Sequence, residues 1–430
     1  MKPNDNEKFI LDKLIMTADQ IFYILIGIIV LKFLFDTFLS VLNAKHFNDK
    51  LPLELEGIYN EEEYVKSQQY KSANFRFSLI TQTFSLVLIL LFFTYDGFAI
   101  VDAWSWSFSN NNIVVTLIFF GAIFIANDII SLPFSYYKTF VIEEKFGFNK
   151  STLKTFAFDK LKSWLMIAII GGGIVSLITW FYNLTTNNFW LYAWALVTVF
   201  SIFMNMFYSK LIVPLFNKQT PLEEGELKNA IEEFSRKVGF KIDNIYVIDG
   251  SKRSTKANAY FSGFGAQKRI TLFDTLINDL ETEEIIAVLA HEVGHYKKKH
   301  IVYNISLSIV ITGFTFYILS LLIGNDLLSQ ALGVQVASFH IGLIAFAILY
   351  SPISETTSLF MNALSRKFEY QADNYAKEKF GAEELISSLK KLSKNSLSNL
   401  TPHKLCVTVY YSHPTLYQRI LNLKKETFSI

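Results

Sequence analysis

The chain has 430 residues, 51% of them hydrophobic and only 18% charged. Its mean hydropathy is +0.30, and soluble domains carry roughly 25% charged residues, so the composition argues against a purely soluble protein. A net charge of +2 makes nucleic acid an unsuitable partner, and 8 Pro and 19 Gly with no low-complexity tract or fixed repeat argue against disorder and solenoids.

A bilayer crossing needs about 20 apolar residues. Seven stretches qualify, at 21–42, 78–95, 113–134, 163–181, 189–209, 303–323 and 332–353. The expected fold class is therefore mainly α, a polytopic membrane protein of seven transmembrane helices. The first stretch is too long for a signal peptide and lacks a small-residue cleavage pattern, so it is expected to stay in the mature chain.

Basic residues mark cytoplasmic flanks. Lys45, Lys50, Lys66, Lys71 and Arg76 follow span 1, and Lys138, Lys145, Lys150, Lys154, Lys160 and Lys162 follow span 3, while 97–111, 182–188 and 324–331 contain no Lys or Arg. This pattern predicts an integral, multi-pass protein with its N-terminus outside and its C-terminus, 210–302 and 354–430 in the cytoplasm. Lys2, Lys8 and Lys13 in the outer tail run against the rule, but Asp5, Glu7, Asp12 and Asp19 share that tail.

Within 210–302 the texture changes. Residues 222–238 have helical periodicity, whereas 242–249, 257–262 and 269–273 read as short strands separated by Gly and Ser. A small α+β unit is expected here. The next helix should start near Thr282 as N-cap, with Glu283 and Glu284 in its first turn, and run unbroken into span 6.

That helix carries His291-Glu292-Val293-Gly294-His295, an HExxH pattern. Two imidazoles at i and i+4 share a face and can reach one zinc, and Glu292 beside them can act as general base toward water. The bland alternative is a solvated helix face, disfavoured because the chain has only seven His. Cys406 stands alone, so any metal must use His and carboxylates. A catalytic zinc takes three protein ligands, and the third is sought after span 7, where Glu369 and Asp373 lie at i and i+4 on a polar helix, 359–380. Spans 6 and 7 form a hairpin that leaves the site and returns to it. Glu369 is thus a candidate ligand or an ordinary surface glutamate, and Asp373 would stand ready to receive the free N–H of a ligating imidazole.

The chain resembles the type I CAAX prenyl endoproteases, integral-membrane HExxH zinc metalloproteases with seven spans. IEEKFGFNKST (142–152), PLFNKQTPLEEGEL (214–227), the run 249–276, LAHEVGH (289–295), SRKFEYQAD (365–373) and SHPTLYQRI (412–420) carry the likeness. The resemblance implies that Glu369 is the third zinc ligand and that His413 and Arg419 stabilise the reacting carbonyl. It also implies that Asn258, Ala259, Tyr260 and Phe261 form an edge strand that pairs with substrate. Lys256 is a departure, since members often carry His before that segment. Read from the residues, 258–261 is an open edge for β-addition or a plain internal strand, and His413, held extended by Pro414, points into a site or lies on a surface loop. Lys32, Asp36 and Asp128 sit within spans, as a local ion pair with snorkelling groups or facing the water-filled chamber that the resemblance implies.

The expected organisation is 1–215, transmembrane helices 1–5 with cytoplasmic loops; 216–300, the first part of a zinc protease domain with HExxH; 301–357, helices 6 and 7; and 358–430, the second part with the third ligand. The expected activity is zinc endopeptidase action, with one Zn2+ per chain, at the cytoplasmic membrane surface, on peptide or protein substrates of the prenylated C-terminal CAAX class, in contact with membrane lipid. A quality-control protease for misfolded membrane proteins is the nearest alternative, disfavoured by five spans before the motif. A non-catalytic scaffold or transporter is disfavoured by the complete ligand set and by the lack of an inverted repeat.

Overall fold

The computed structural model describes residues 16–185, 188–240, 244–262 and 269–425. The tail charges Lys2, Asp5, Glu7, Lys8, Asp12 and Lys13, and the first two residues of the strand expected at 242–249, lie outside the described residues. Among those described, seven helices are long and apolar enough to cross a membrane. The first two are α1 (Ala18–Ala44) and α2 (Glu61–Thr94), followed by the short helix α3 (Gly97–Trp106). The third is α4 (Asn112–Tyr137) with a π-helical end, Lys138–Glu143, and the fourth joins α5 (Leu153–Met166) to α6 (Gly172–Thr185) through a second π-helical turn. The fifth is α7 (Phe189–Leu211), continued by α8 (Val213–Phe216).

These helices start where the sequence supplies caps. Thr17 with Gln20 and Asn60 with Glu63 each form a reciprocal capping box, which satisfies amide groups left free at a helix start. Several helices outrun the expected spans: α2 begins well before position 78 because its first turns are polar yet still helical. Large apolar residues such as Leu31, Phe38, Ile80, Leu165, Val199 and Val310 remain exposed along them, as a lipid environment requires. Lys32 pairs with Asp36 at 3.2 Å and with Glu355 at 2.5 Å, while Asp128 accepts from Lys160 and Trp164 at 2.7 and 2.9 Å. Lys32 and Asp36 face a cavity of about 940 Å³ among the first three spans.

The chain then enters the α+β unit: β1 (Gln219–Pro221), α9 (Glu226–Lys237), β2 (Ile245–Ile248), β3 (Ala259–Ser262), β4 (Arg269–Phe273) and α10 (Asp274–Asp279). Strand β1 was not expected, since three residues are too few to show alternation. The sheet order is β1-β2-β4-β3, with β2 parallel to β4 and the other pairs antiparallel. Arg253, in the loop before β3, forks onto Asp159 of α5 at 2.7 and 2.9 Å and donates to the Phe216 carbonyl at 2.8 Å, which fixes the sheet to the membrane helices.

Two expectations about the next helix fail. In α11 (Thr282–Lys297) the N-cap is Glu281, not Thr282: the Glu281 side chain meets the backbone of Glu284, whose own side chain reaches back to the Glu281 amide. The helix also does not run into span 6. Lys299 adopts a left-handed backbone (φ 59°), and α12 (His300–Leu322) starts afresh after it. Span 7 begins later than 332, because α13 (Asp326–Gln330) and the left-handed Gly333 (φ 80°) occupy the approach, and α14 (Phe339–Lys379) then runs through membrane and polar parts without interruption. Near its N-terminal end the buried His340 bonds Asp102 of α3 at 2.6 Å. Three helices follow among the described residues: α15 (Ala382–Asn395), α16 (Lys404–Tyr410) and α17 (Leu416–Lys424).

One hydrophobic core joins Leu55, Phe146, Phe148, Ala290, Val293, Ala376, Leu385 and Ile420, so the loops after spans 1 and 3 pack on α11, α14, α15 and α17. Glu284, at the start of α11, is held in the same region by Lys391 and Ser387 at 2.8 and 2.6 Å; burial opposes its charge, but these partners hold the carboxyl below its usual range.

Candidate metal centre

Helix α11 lies directly against α14, and the residue at the crossing is Gly294. A Cβ there would stand 3.0 Å from Ala372 Cα and 3.1 Å from its carbonyl oxygen, so a side chain would push the two backbones apart and glycine lets them approach this closely. The crossing brings His291 and His295 over Glu369. One ligand atom from each lies within 4.8 Å of the others. His291 Nε2 and His295 Nε2 are 3.1 Å apart, His295 Nε2 is 3.3 Å from Glu369 Oε1, and His291 Nε2 is 3.5 Å from Glu369 Oε2.

These separations fit a metal. Ligand atoms at zinc-bond lengths of about 2.0–2.1 Å in a tetrahedron stand roughly 3.3 Å from one another. Two imidazole nitrogens and a carboxylate are also a donor set that zinc takes. Glu369 is buried, and its Oε2 accepts no well-aligned hydrogen bond although His413 Nδ1 is 2.8 Å away. The pocket stabilises positive charge: burial, the largest influence, and the Arg419 charge both oppose protonation of His291, but Asp373 and Glu369 outweigh them and raise its pKa to about 9.

The expected neighbours gather here. Asp373 Oδ1 stands 2.8 Å from His291 Nδ1, where it can accept the ring N–H, and Asp373 receives Arg419 through two bonds, Nε at 2.9 Å and Nη2 at 2.5 Å. Arg419 is thus held mainly by Asp373, with Nη2 also 3.3 Å from His291 Nδ1 and Nη1 3.8 Å from Glu369. His413 is 64% exposed and projects from the segment before α17, whose start is fixed by a capping box of Thr415 and Gln418. Glu292, on α11 between the two His, is partly exposed.

Sequence reasoning missed several positions around this centre. Arg366 donates to the carbonyls of Val407 and Tyr411 at 3.1 and 2.5 Å, and Asn362 donates to that of Val409 at 2.8 Å, so α14 itself grips the segment leading to His413. His300 and Gln371, bonded to each other beside His295, also escaped notice. Their signal was the third His of HEVGHYKKKH, which an unbroken helix would have turned away from the site.

Strand β3 is an outer strand, bonded to β4 with Ala259 opposite Leu272, Tyr260 opposite Thr271 and Phe261 opposite Ile270. Asn258 just precedes it, and its carbonyl accepts from Phe273 N at 3.1 Å. Lys256 turns away from this edge. Its Nζ donates to Tyr70 and Glu143 at 2.9 Å each and stands 4.3 Å above the Phe148 ring, tying the lead into β3 to α2 and to the end of α4.

Comparison with known proteins agrees with this arrangement. Residues 40–218 match the family model described as CAAX prenyl protease N-terminal, five membrane helices, and residues 221–427 match that of peptidase family M48. The chain is 35% identical over 429 residues to CAAX prenyl protease 1 of Saccharomyces cerevisiae, covering 93% of this chain and 94% of that protein. It is 36% identical over 420 residues to the CAAX prenyl protease 1 homolog of Dictyostelium discoideum, with coverages of 94% and 97%. The crystal structure of S. mikatae Ste24p superposes with a TM-score of 0.90 at 34% identity, over 94% of this chain and 99% of that one. Fold and site together define a multi-pass membrane metallopeptidase. The chain belongs to the CAAX prenyl protease 1 family, within peptidase family M48.

Proposed function

We propose that this protein is a zinc endopeptidase of the cytoplasmic membrane surface, acting on proteins with a prenylated CAAX C-terminus. The observation that carries the reading is the convergence of His291, His295 and Glu369 in a chain of this family. In our reading these three hold one Zn2+ per chain. When bound, zinc supplies Lewis-acid polarisation and makes water acidic enough to attack near neutral pH. Glu292 takes the proton of the attacking water and passes it to the leaving amine. Asp373, braced by Arg419, fixes the His291 ring by receiving its Nδ1–H. His413 donates to the carbonyl oxygen as negative charge builds there. Arg419 then acts through position and not by touching the substrate.

A peptide is proposed to add along β3, at Asn258, Ala259, Tyr260 and Phe261, through main-chain hydrogen bonds that ignore side-chain identity. Membrane lipid surrounds the spans, 1–215 and 301–357 form the membrane parts, and 216–300 with 358–430 form the protease parts. Nucleic acid has no role in this scheme. For substrate class, the zinc-loaded protein in detergent is expected to cleave a farnesylated CAAX peptide well and its unprenylated twin poorly. Equal turnover of the two would remove the prenyl requirement.

The orientation follows the basic residues, with the N-terminus outside and the protease parts inside. Cysteines placed at the exposed positions 110 and 183 should react with an impermeant maleimide added to intact cells, and those at 60 and 150, exposed as well, should not. Labelling of position 60 from outside would reverse the assignment.

A further inference from the structure

The two imidazoles of the centre are braced differently. His291 Nδ1 meets the charged Asp373. His295 Nδ1 instead lies 3.0 Å from Nδ1 of His300, whose Nε2 lies 2.8 Å from Gln371 Oε1. His300 is 2% exposed and stacks on Phe368 at 4.1 Å with an interplanar angle of 10°, which fixes its ring plane. One stretch of α14, 368–373, thus supplies the stacking ring, Glu369, Gln371 and Asp373.

This contact exists only because the helix breaks. On a continuous helix, positions 295 and 300 point about 140° apart. The left-handed turn at Lys299 starts α12 in a new direction and swings His300 back over His295. A left-handed backbone at a residue with a side chain costs energy, and such strain collects at functional sites.

We propose that His300 and Gln371 form a hydrogen-bond relay that holds His295 in the tautomer required for metal ligation. The oxygen of Gln371 accepts the Nε2–H of His300, which leaves His300 Nδ1 with a lone pair. That lone pair accepts Nδ1–H of His295, and His295 Nε2 is left unprotonated toward Glu369 and His291. The reverse order would place the proton on His295 Nε2, where a ligand needs its lone pair. The relay rests on His291, His295 and Glu369 being the metal ligands.

Zinc affinity tests it, measured on the full-length, zinc-stripped protein in detergent by competition with a fluorescent chelator. Gln371→Met keeps length and removes the acceptor, Gln371→Glu keeps an acceptor, and His300→Phe keeps the stack and removes both nitrogens. Loss of an outer hydrogen-bond partner typically weakens metal binding by about 10 to 100-fold. That loss is expected in Gln371→Met and His300→Phe, with Gln371→Glu close to the wild type and the zinc-free melting temperatures of both Gln371 variants unchanged. Wild-type affinity in Gln371→Met, or an equal loss in Gln371→Met and Gln371→Glu, overturns the relay. Should His300→Phe fail to fold, the Gln371 pair decides alone. A wild-type chain that takes up no zinc would instead remove the ligand assignment itself.

Discussion

Glu369→Ala should purify as an intact membrane protein with almost no bound zinc and no peptidase activity. The carboxylate is buried and lies within 3.5 Å of both imidazoles, so its removal leaves two nitrogens where a catalytic zinc takes three protein donors. The loss in affinity should exceed the roughly 10 to 100-fold that follows from removing an outer partner. His291→Ala and His295→Ala should match it. Metal content by mass spectrometry, with thermal unfolding of the zinc-free proteins as a control for folding, gives the answer. A full complement of zinc with normal turnover in Glu369→Ala would send the search for the third ligand elsewhere.

Glu292→Gln should keep zinc at wild-type stoichiometry and lose hydrolysis by roughly 10² to 10⁴-fold, the usual worth of a positioned base. The amide has the carboxylate's shape but cannot take a proton, and Glu292 is not among the three converging ligands. Zinc loss in this variant would make Glu292 a metal ligand, and wild-type kcat would dismiss it as the base. The same assay separates His413, which is 64% exposed and stands with Nδ1 2.8 Å from Glu369 Oε2. His413→Ala should lower kcat by about 10² to 10³ with KM nearly unchanged, because a donor to a developing oxyanion acts in the transition state. A fall explained wholly by lost metal would take His413 out of the mechanism.

By itself the sequence determined the features that depend on short-range pattern. Seven apolar stretches are legible because a bilayer selects on length and hydrophobicity alone, and each overlaps a membrane-length helix whose ends the pattern does not fix. His291, Glu292 and His295 are legible as a unit because helical spacing puts the two imidazoles on one face within five residues. Glu369 was a bare candidate by spacing, and it took the family resemblance to choose it. Its meeting with the histidines depends on how closely α11 and α14 cross, which Gly294 permits and no local pattern announces.

Tertiary structure decided the surroundings of the site. The likeness implied a role for Arg419 at the substrate carbonyl, and what packing of α17 against α14 adds is its two-bond contact with Asp373. Arg366 and Asn362 hold the His413 segment through main-chain carbonyls, contacts that carry no sequence signature at the accepting end. The break at Lys299 is the clearest case. Nothing in Tyr-Lys-Lys-Lys-His forbids a helix, so local propensity favours an unbroken one; a left-handed residue persists there only where surrounding contacts outweigh its cost. Those contacts, His300 against His295, Phe368 and Gln371, join residues far apart in the chain, and only the folded arrangement brings them together.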